Sequence, residues 1–419
     1  MNFALAGINH HTAPIEVREK AAINADGLQG ALLSLRKYTQ HAIILSTCNR
    51  SEVYASGIHG GDIASSCAGY MRETLKLADD SSAPYIYTAS GIELFRHLCS
   101  VACGLDSMVI GEYEVLGQVG QALAAAEKAG MVDLPLRHLF QSAIRTGRRA
   151  REETGISKNA LSISSIAVNK AIDILPDIKS AKIIVIGAGE AGRLALRIAR
   201  SRDISSIVVV SRTEQRAIGL AEQYGARPVS PGLLIHEMQD ADIVITCAAS
   251  PHPVLRYKQV SEAISRRPGL PLVILDIAMP RNVEPSIREI PGVHLYNIDD
   301  LNDIAEGHRL ERETEVQAVE RIIGEEVALL MKWWQSYNAR PVIKSLMKRA
   351  EQIRSEQYSR SVRKLPALTQ AERQAIDLLT RSIVDKILRA PIMFLKSGEG
   401  AVGSEVISRL FGLNDGNEP

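Results

Sequence analysis

Aromatic residues are scarce in this 419-residue chain, at 4%, which argues against a sheet surface that stacks bases. The five cysteines, at 48, 67, 99, 103 and 247, form no recognisable disulfide framework, and their odd number fits a reducing compartment. No apolar run approaches the roughly 18 residues that a membrane-spanning helix needs. Residues 1–7 show no basic segment ahead of an apolar core, so no signal peptide is expected. A net charge of +1 advertises neither a polyanion nor an anionic membrane as partner. What is left is an ordinary globular composition, 46% hydrophobic, with length for about two or three domains. The expectation is a cytoplasmic protein with no membrane association.

The stretch Ser46-Thr47-Cys48-Asn49-Arg50-Ser51-Glu52 follows the apolar run Ala42–Leu45 and precedes the alternating Val53-Tyr54-Ala55. This pattern predicts a cysteine in a short connection between two strands, with a guanidinium two residues away. Thiolate is the reactive form of cysteine, and nearby positive charge favours it. A small buried hydrophobe is the competing reading for any single cysteine.

Residues 1–155 read as an α+β domain. A strand is expected over Phe3–Ile8, and Thr12-Ala13-Pro14 as a helix start with a hydroxyl cap and proline in the first turn. A helix near 27–37, strands near 42–47 and 52–56, a helix near 62–77 and a short strand at Tyr85–Tyr87 complete a β-α-β-β-α-β order. That order predicts a split, ferredoxin-like sheet. Helices near 90–102, 115–129 and 134–152 follow. Between the first two, Gly104–Glu114 carries closely spaced polar groups, as a binding loop or a capped helix connection would. His97, Cys99 and Cys103 invite a metal, but residue 97 points away from the face shared by 99 and 103. No further ligand stands at a suitable spacing, so no metal is expected. Arg145, Arg148, Arg149 and Arg151 form either a solvated helix face or a phosphate contact.

The clearest structural signal comes next. Lys182–Ile186 is a buried-strand pattern running into Gly187-Ala188-Gly189-Glu190-Ala191-Gly192 and then a helix, the dinucleotide fingerprint in its strand–turn–helix context. The helix N-terminus would receive the pyrophosphate. A second strand ends in Ser211-Arg212-Thr213, where NAD sites usually place an acid; hydroxyls and an arginine suit the 2′-phosphate of NADPH instead. Strands over Asp242–Thr246 and Leu272–Asp276 should border the nicotinamide half of the cleft, with Cys247 a packed small residue.

Beyond about residue 300 the pattern is long helix. Val316, Val319, Ile323, Val327, Leu330 and Trp334 form one apolar stripe, and Pro341, Pro366 and Pro391 divide the segments that follow. A stripe of that kind needs cover, and a second copy of the chain is the simplest cover.

A thiol and an NADPH site on one chain point to thioester chemistry, in which covalent capture splits a difficult reduction into two easier steps. Here the chain resembles the glutamyl-tRNA reductase family over essentially its full length. The resemblance rests on an ordered set: Gly7–Pro14, Leu45–Arg50, Gly104–Ser107 with Gly111-Glu112, Gly117–Val119, Glu153–Ser157, Gly187–Gly192, and Asp276–Ala278 with Pro280-Arg281. It implies glutamyl-tRNA(Glu) as substrate, attack by Cys48 on the aminoacyl ester, and NADPH reduction to glutamate-1-semialdehyde, on the route to 5-aminolevulinate and tetrapyrroles. It implies Thr47, Asn49 and Arg50 as substrate contacts, with Arg50 pairing bidentately with the glutamyl carboxylate. Ser107, Glu112, Tyr113, Glu114 and Gln118 would complete the pocket. His97 would either activate Cys48 or organise the site.

The fold implied is multidomain α/β: a ferredoxin-like catalytic domain over 1–155, a Rossmann NADPH-binding domain over 156–305, and a long spinal helix with an all-α dimerisation domain over 306–419. Hinges are expected near 155–165 and 300–306, together with a homodimer through the C-terminal helices and a transient complex with the aminomutase that consumes the product. Two rivals share parts of this pattern. A Rossmann dehydrogenase of small metabolites would survive loss of Cys48, and a non-catalytic NADPH- and tRNA-binding regulator would form no acyl-enzyme.

Overall fold

The structure is a computed structural model that describes residues 3–57, 62–75, 85–157, 163–175, 178–204, 206–267, 269–301, 313–396 and 400–413. Two compact units divide the chain, Met1–Gly324 and Glu325–Pro419. The first opens with β1 (Phe3–Asn9), α1 (Ile15–Ala21), α2 (Ala25–Leu35), β2 (His41–Ser46), β3 (Arg50–Ser56), α3 (Ile63–Thr74) and β4 (Tyr87–Ser90). The four strands are antiparallel in the order β2-β3-β1-β4, the ferredoxin-like arrangement expected from the element order. Apolar Ala42–Leu45 is buried in β2, while β1 and β3 are buried along their whole lengths. Helices α4 (Gly91–Cys103), α5 (Glu114–Lys128) and α6 (Leu134–Glu153) follow and pack on this sheet. Tyr54 of β3 meets Phe140 of α6 edge to face at 5.2 Å.

Two local expectations are displaced. Thr12 does not cap α1: its hydroxyl accepts from the Asn9 amide at 3.1 Å, closing the turn before the helix, and Pro14 stands at the cap position. The last strand is Tyr87–Ser90 rather than 85–87, because the register sets Tyr87 against Gly7 and Ser90 against Ala4.

The second sheet is built from α7 (Ile163–Ile174), β5 (Lys182–Ile186), α8 (Glu190–Ser201), β6 (Ser206–Val210), α9 (Glu214–Tyr224), β7 (Arg227–Val229), α10 (Leu234–Glu237), β8 (Ile243–Thr246), α11 (Tyr257–Ser265), β9 (Leu272–Asp276) and β10 (Val293–Asn297). Its six strands run parallel in the order β10-β9-β8-β5-β6-β7. The order reverses between β5 and β8, the switch point where such sheets bind ligands. Both faces are covered. Ile183 and Val185 belong to one core and Ile184 and Ile186 to the other, which is why these strands read as continuous apolar runs.

Helix α12 (Glu313–Asn338) carries the chain into the second unit, completed by α13 (Arg340–Lys364), α14 (Gln370–Lys396) and α15 (Gly400–Leu410). Pro341 lies in the first turn of α13, where its missing N–H costs nothing. Pro391 does not divide a segment; it sits inside α14, whose Leu388 and Leu395 are anchored in the core of this unit. The apolar stripe of α12 is also less exposed than expected, since Val319, Ile323, Val327 and Leu330 are buried within one chain. Exposed apolar side chains are concentrated on α13 and α14, among them Met347, Ile353, Leu378, Leu379, Ile383 and Ile387. Most of the expected hinge positions, at 158–162 and 302–306, fall outside the described residues. No helix among the described residues is long and apolar enough to cross a membrane.

Candidate active site

The connection between β2 and β3 is a tight, fully hydrogen-bonded turn. Thr47 N donates to the Arg50 carbonyl at 2.8 Å, and the Thr47 hydroxyl accepts from the amides of Asn49 (3.1 Å) and Arg50 (3.2 Å). The Asn49 carbonyl accepts from His10 N at 2.9 Å, tying the turn to the end of β1. Cys48 is thereby left at the tip, half-buried, its thiol donating to Asn49 Oδ1 at 3.4 Å. The thiol packs near Ile15, Met108, Ile298 and Met279.

Burial is the main reason that the Cys48 thiol is pushed up to about 12; the Glu112 and Glu114 carboxylates push the same way, while Arg18 pulls down. The cation acting most strongly on the thiol is thus Arg18, not the Arg50 that adjoins it in sequence. A thiol in this state stays protonated through neutral pH. Its alkylation by iodoacetamide, followed on the Cys48 peptide by mass spectrometry, should rise about tenfold per pH unit from 7 to 10 without a plateau. A plateau below pH 9 would show a thiolate that this geometry does not provide.

Arg50 points away from the turn into a buried polar cluster. Its Nη1 donates to Glu52 (2.9 Å) and Asp106 (2.8 Å), and its Nη2 donates to the Asp106 carbonyl. Glu52, fully buried on β3, also accepts from Tyr54 at 2.5 Å, from Tyr87 and from His97 Nε2 at 2.8 Å. Burial alone would raise the Glu52 carboxyl, but Arg50, His97 and the hydrogen bonds outweigh it and hold it far below the usual carboxylate range. Gly7 makes the cluster possible: it faces Glu52 across the strands, and a Cβ there would lie 2.7 Å from Glu52 Cγ. His97 therefore bonds a carboxylate on β3, while the thiol's own bond goes to Asn49. Among the described residues' buried side-chain polar atoms without a partner are Arg50 Nε and His10 Nδ1. Burial and neighbouring cations bring His10 down to about 3, so its ring is neutral.

The thiol opens onto a cavity of about 790 Å³, shared with Glu112, Tyr113, Glu114 and Gln118 from the α4–α5 connection and α5. Glu190 and Ala191 at the start of α8 line the same cavity, as does Ile277 beyond β9. Burial first, then Glu114, raises the Glu112 carboxyl to about 7, with Ser107 and the arginines opposing. Arg151 braces this wall, donating to the carbonyls of Ala102, Gly147 and Glu112 at 2.8, 2.8 and 2.7 Å. Its guanidinium is thus committed to main-chain carbonyls, whereas Arg148 of the same run is exposed.

On the second sheet, Gly187 adopts φ +124 and packs so closely on the Cys247 backbone that a Cβ would lie 2.8 Å away. Cys247 itself is half-buried and donates to the Ile186 carbonyl at 3.4 Å, a packed thiol. Gly192 faces the Gly187 carbonyl, which a Cβ would approach to 2.2 Å. Above Gly189 nothing lies within 4 Å, leaving an open cradle at the N-terminus of α8. At the end of β6, Ser211 Oγ accepts from Thr213 N at 3.3 Å, and exposed Arg212 reaches the Ala249 carbonyl at 3.0 Å. Beyond β9, buried Asp276 accepts from Thr246 (2.6 Å) and from the amides of Ala278, Asn282 and Val283, fixing the loop that carries Ile277.

The fold thus brings Cys48, Glu112, Tyr113, Glu114, Gln118, Glu190 and Ala191 around one space. Thr47, Asn49, Arg50, Ser107 and His97 do not line that cavity; Ala188, Ser211, Arg212 and Thr213 stand outside it as well. Sequence reasoning passed over Gln121, Ser164, Arg193 and Arg197, which line the cavity, and Glu52 and Asp106, which hold Arg50. Only the spacing of Arg193 and Arg197, one turn apart on α8, could have marked them.

Residues 6–154 match the family model described as "Glutamyl-tRNAGlu reductase, N-terminal domain", 169–304 match "Shikimate / quinate 5-dehydrogenase", and 318–413 match "Glutamyl-tRNAGlu reductase, dimerisation domain". A glutamyl-tRNA reductase of Pelotomaculum thermopropionicum is 36% identical over 420 residues, covering 99% of this chain and 95% of that protein. The chain belongs to the glutamyl-tRNA reductase family. A glutamyl-tRNA reductase of Roseiflexus sp. strain RS-1 is 37% identical over 423 residues, covering 99% of this chain and 98% of the relative. The solved glutamyl-tRNA reductase from Methanopyrus kandleri is 31% identical and covers 99% of both chains, with a TM-score of 0.50. Family membership makes the chain an oxidoreductase of tetrapyrrole biosynthesis, with an NAD(P)-binding Rossmann domain and a dimerisation domain.

The Gly187–Gly192 cradle fits a dinucleotide, and one substitution tests the fit. Gly189→Ala adds a methyl group to open space in ordinary extended backbone, so the melting temperature should not change. The KM for the dinucleotide should rise by on the order of tenfold, the equivalent of about 1.4 kcal/mol. An unchanged KM would remove the pyrophosphate from this cradle.

Proposed function

We propose that Cys48 takes the glutamyl group from glutamyl-tRNA(Glu) as a thioester, which is then reduced with NADPH to glutamate-1-semialdehyde. The supporting observation is that the thiol and the first residues of the fingerprint helix line one cavity. In the first step sulfur bonds to the acyl carbon, the ester C–O bond breaks, and the thiol proton ends on the ribose oxygen of the departing tRNA. Glu112, in the same cavity and raised by burial to about 7, would carry that proton. An aminoacyl ester is an activated acceptor, so the thiol needs positioning more than ionisation. In the second step, hydride on the acyl carbon and loss of the C–S bond give the aldehyde and return the thiol after protonation.

NADPH, when bound, supplies that hydride. The residues for it are Gly187, Ala188, Gly189, Glu190, Ala191 and Gly192 for the pyrophosphate, and Ser211, Arg212 and Thr213 for the 2′-phosphate; hydroxyls and an arginine directly after β6, where NAD sites usually place an acid, favour NADPH over NADH. Arg50 does not line the cavity, so in this reading the substrate carboxylate enters the buried cluster to meet its unpartnered Nε, with His10 Nδ1 close to the same network. Arg50 therefore offers less than a free bidentate fork, because Glu52 and Asp106 hold its other edge. His97 organises this cluster through Glu52.

The domains run over 1–155, 156–305 and 306–419 in this reading. Two copies pair through the helical unit, where α13, α14 and Phe411 surround an apolar cavity of about 390 Å³. The reactive aldehyde favours direct transfer to the aminomutase that consumes it. The test is to incubate the protein with glutamyl-labelled tRNA in the absence of NADPH. Label is expected on Cys48, and NADPH should then release it as the semialdehyde. Bound tRNA with no label on the thiol would defeat the proposal and leave the dehydrogenase or regulator reading.

A further inference from the structure

Helix α1 carries a side chain that reaches both the nucleophile's turn and the second sheet. Arg18 is almost wholly buried, and each of its three nitrogens has an assigned task. Nε donates to the Ala13 carbonyl at 3.1 Å, Nη1 to the Cys48 carbonyl at 2.9 Å, and Nη2 to the carboxylate of Asp299. Asp299 follows β10, and its own amide is fixed by Asn297 Oδ1 at 2.8 Å. On the same helix Glu19 accepts from Arg281 Nε (2.8 Å) and Nη2 (3.0 Å) and from its backbone N (2.8 Å), while Glu16 accepts from Nη1 at 3.1 Å. The two sheets' subdomains are thus held by ion pairs of opposite sense: the cation is on α1 in one pair and beyond β9 in the other. Around them Ile15, Met108 and Ile298 close an apolar patch on the thiol.

These contacts differ in what they touch. The Arg281 pairs join the subdomains and stop there. Arg18 continues to the carbonyl of the residue that bears the thiol, so any shift of Asp299 is passed to Cys48 through one planar, rigid group. We propose that Arg18 and Asp299 are positioning residues that couple seating of the cofactor-binding subdomain to the placement of Cys48, so that the hydride step depends on Asp299 more than acyl transfer does. The inference rests on the thioester reading above. Acyl transfer needs only the turn and the substrate pocket. Hydride transfer also needs the acyl carbon held against a group on the other sheet, where misplacement by about 1 Å can cost about 100-fold.

The test separates the two steps. Acylation is measured as label transferred from glutamyl-tRNA to Cys48 without NADPH, and reduction as a single turnover of the isolated acyl-enzyme mixed with NADPH. For Asp299→Asn, acylation should stay within about twofold of the parent, while reduction slows by about 10- to 100-fold with NADPH affinity unchanged. Asp299→Glu should recover part of the reduction rate, and Arg18→Lys, which loses the rigid group joining the Cys48 carbonyl to Asp299, should slow both steps. Parent-like reduction in Asp299→Asn would overturn the coupling. An equal fall in both steps would overturn it too, by showing a structural role only. Failure of the thioester reading itself is distinguishable, because the unaltered protein would then take no label.

Discussion

Cys48→Ala should bind glutamyl-tRNA and NADPH, form no acyl-enzyme, and make glutamate-1-semialdehyde at least about four orders of magnitude more slowly than the parent. Loss of a covalent nucleophile removes both steps at once, and residual rates in such variants come from binding and positioning alone. The loss should not be a folding defect. Among the described residues the sulfur bonds only Asn49, while the turn is held by the Thr47 hydroxyl and by main-chain bonds of Thr47, Arg50 and His10. Stability should change by less than about 1 kcal/mol. Single-turnover kinetics beside a urea melt provide the check. Retention of even a few per cent of the reduction rate would favour direct hydride transfer to an uncaptured substrate.

Glu52→Gln should be the more damaging change to the fold, at about 3–5 kcal/mol near neutral pH. Removing one partner of a buried ion pair leaves the other charge uncompensated, and that carries the larger part of the loss. Arg50 would keep only Asp106, and His97, Tyr54 and Tyr87 would compete for a single amide oxygen. The pH dependence has a definite sign. The folded-state pKa of Glu52 is depressed, so its contribution is fully present above the ordinary value of 4.5 and declines as pH falls below it. Parent and variant should therefore differ most at pH 7, with the gap narrowing at pH 3–4 and closing only well below that range. Urea midpoints at both pH values measure this, and a gap that widened in acid would contradict an ionised Glu52.

Much of this arrangement was legible because it is local. The Ala42–Leu45 run, the polar turn and the alternation after it gave β2, the Cys48 turn and β3 within a residue or two, since strand period and turn chemistry are short-range properties. The Gly187–Gly192 fingerprint was equally readable, as each glycine answers a close contact within its own βα unit. What stayed hidden depends on separation or competition. Arg18 and Asp299 are 281 positions apart, and nothing in either segment marks the pairing. Thr12 had two partners within reach and took the Asn9 turn over the helix end. Pro391 breaks a helix by local rules, yet the packing of Leu388 and Leu395 carries α14 past it. Arg50 looked like a free clamp beside a thiol because sequence cannot show that the next residue on the same strand face, Glu52, is buried with it and holds it.

That inward carboxylate has an evolutionary corollary. Arg50, Tyr54, Tyr87 and His97 all bond the one Glu52 carboxylate, with Gly7 leaving the room, so each tolerates change only when its neighbours change with it. Energies of substitutions within the set should be strongly non-additive, a second removal costing far less than the first. In a comparison of divergent relatives the six positions should vary as one character, retained or replaced together, while the cavity wall from Glu112 to Gln118 drifts independently of them.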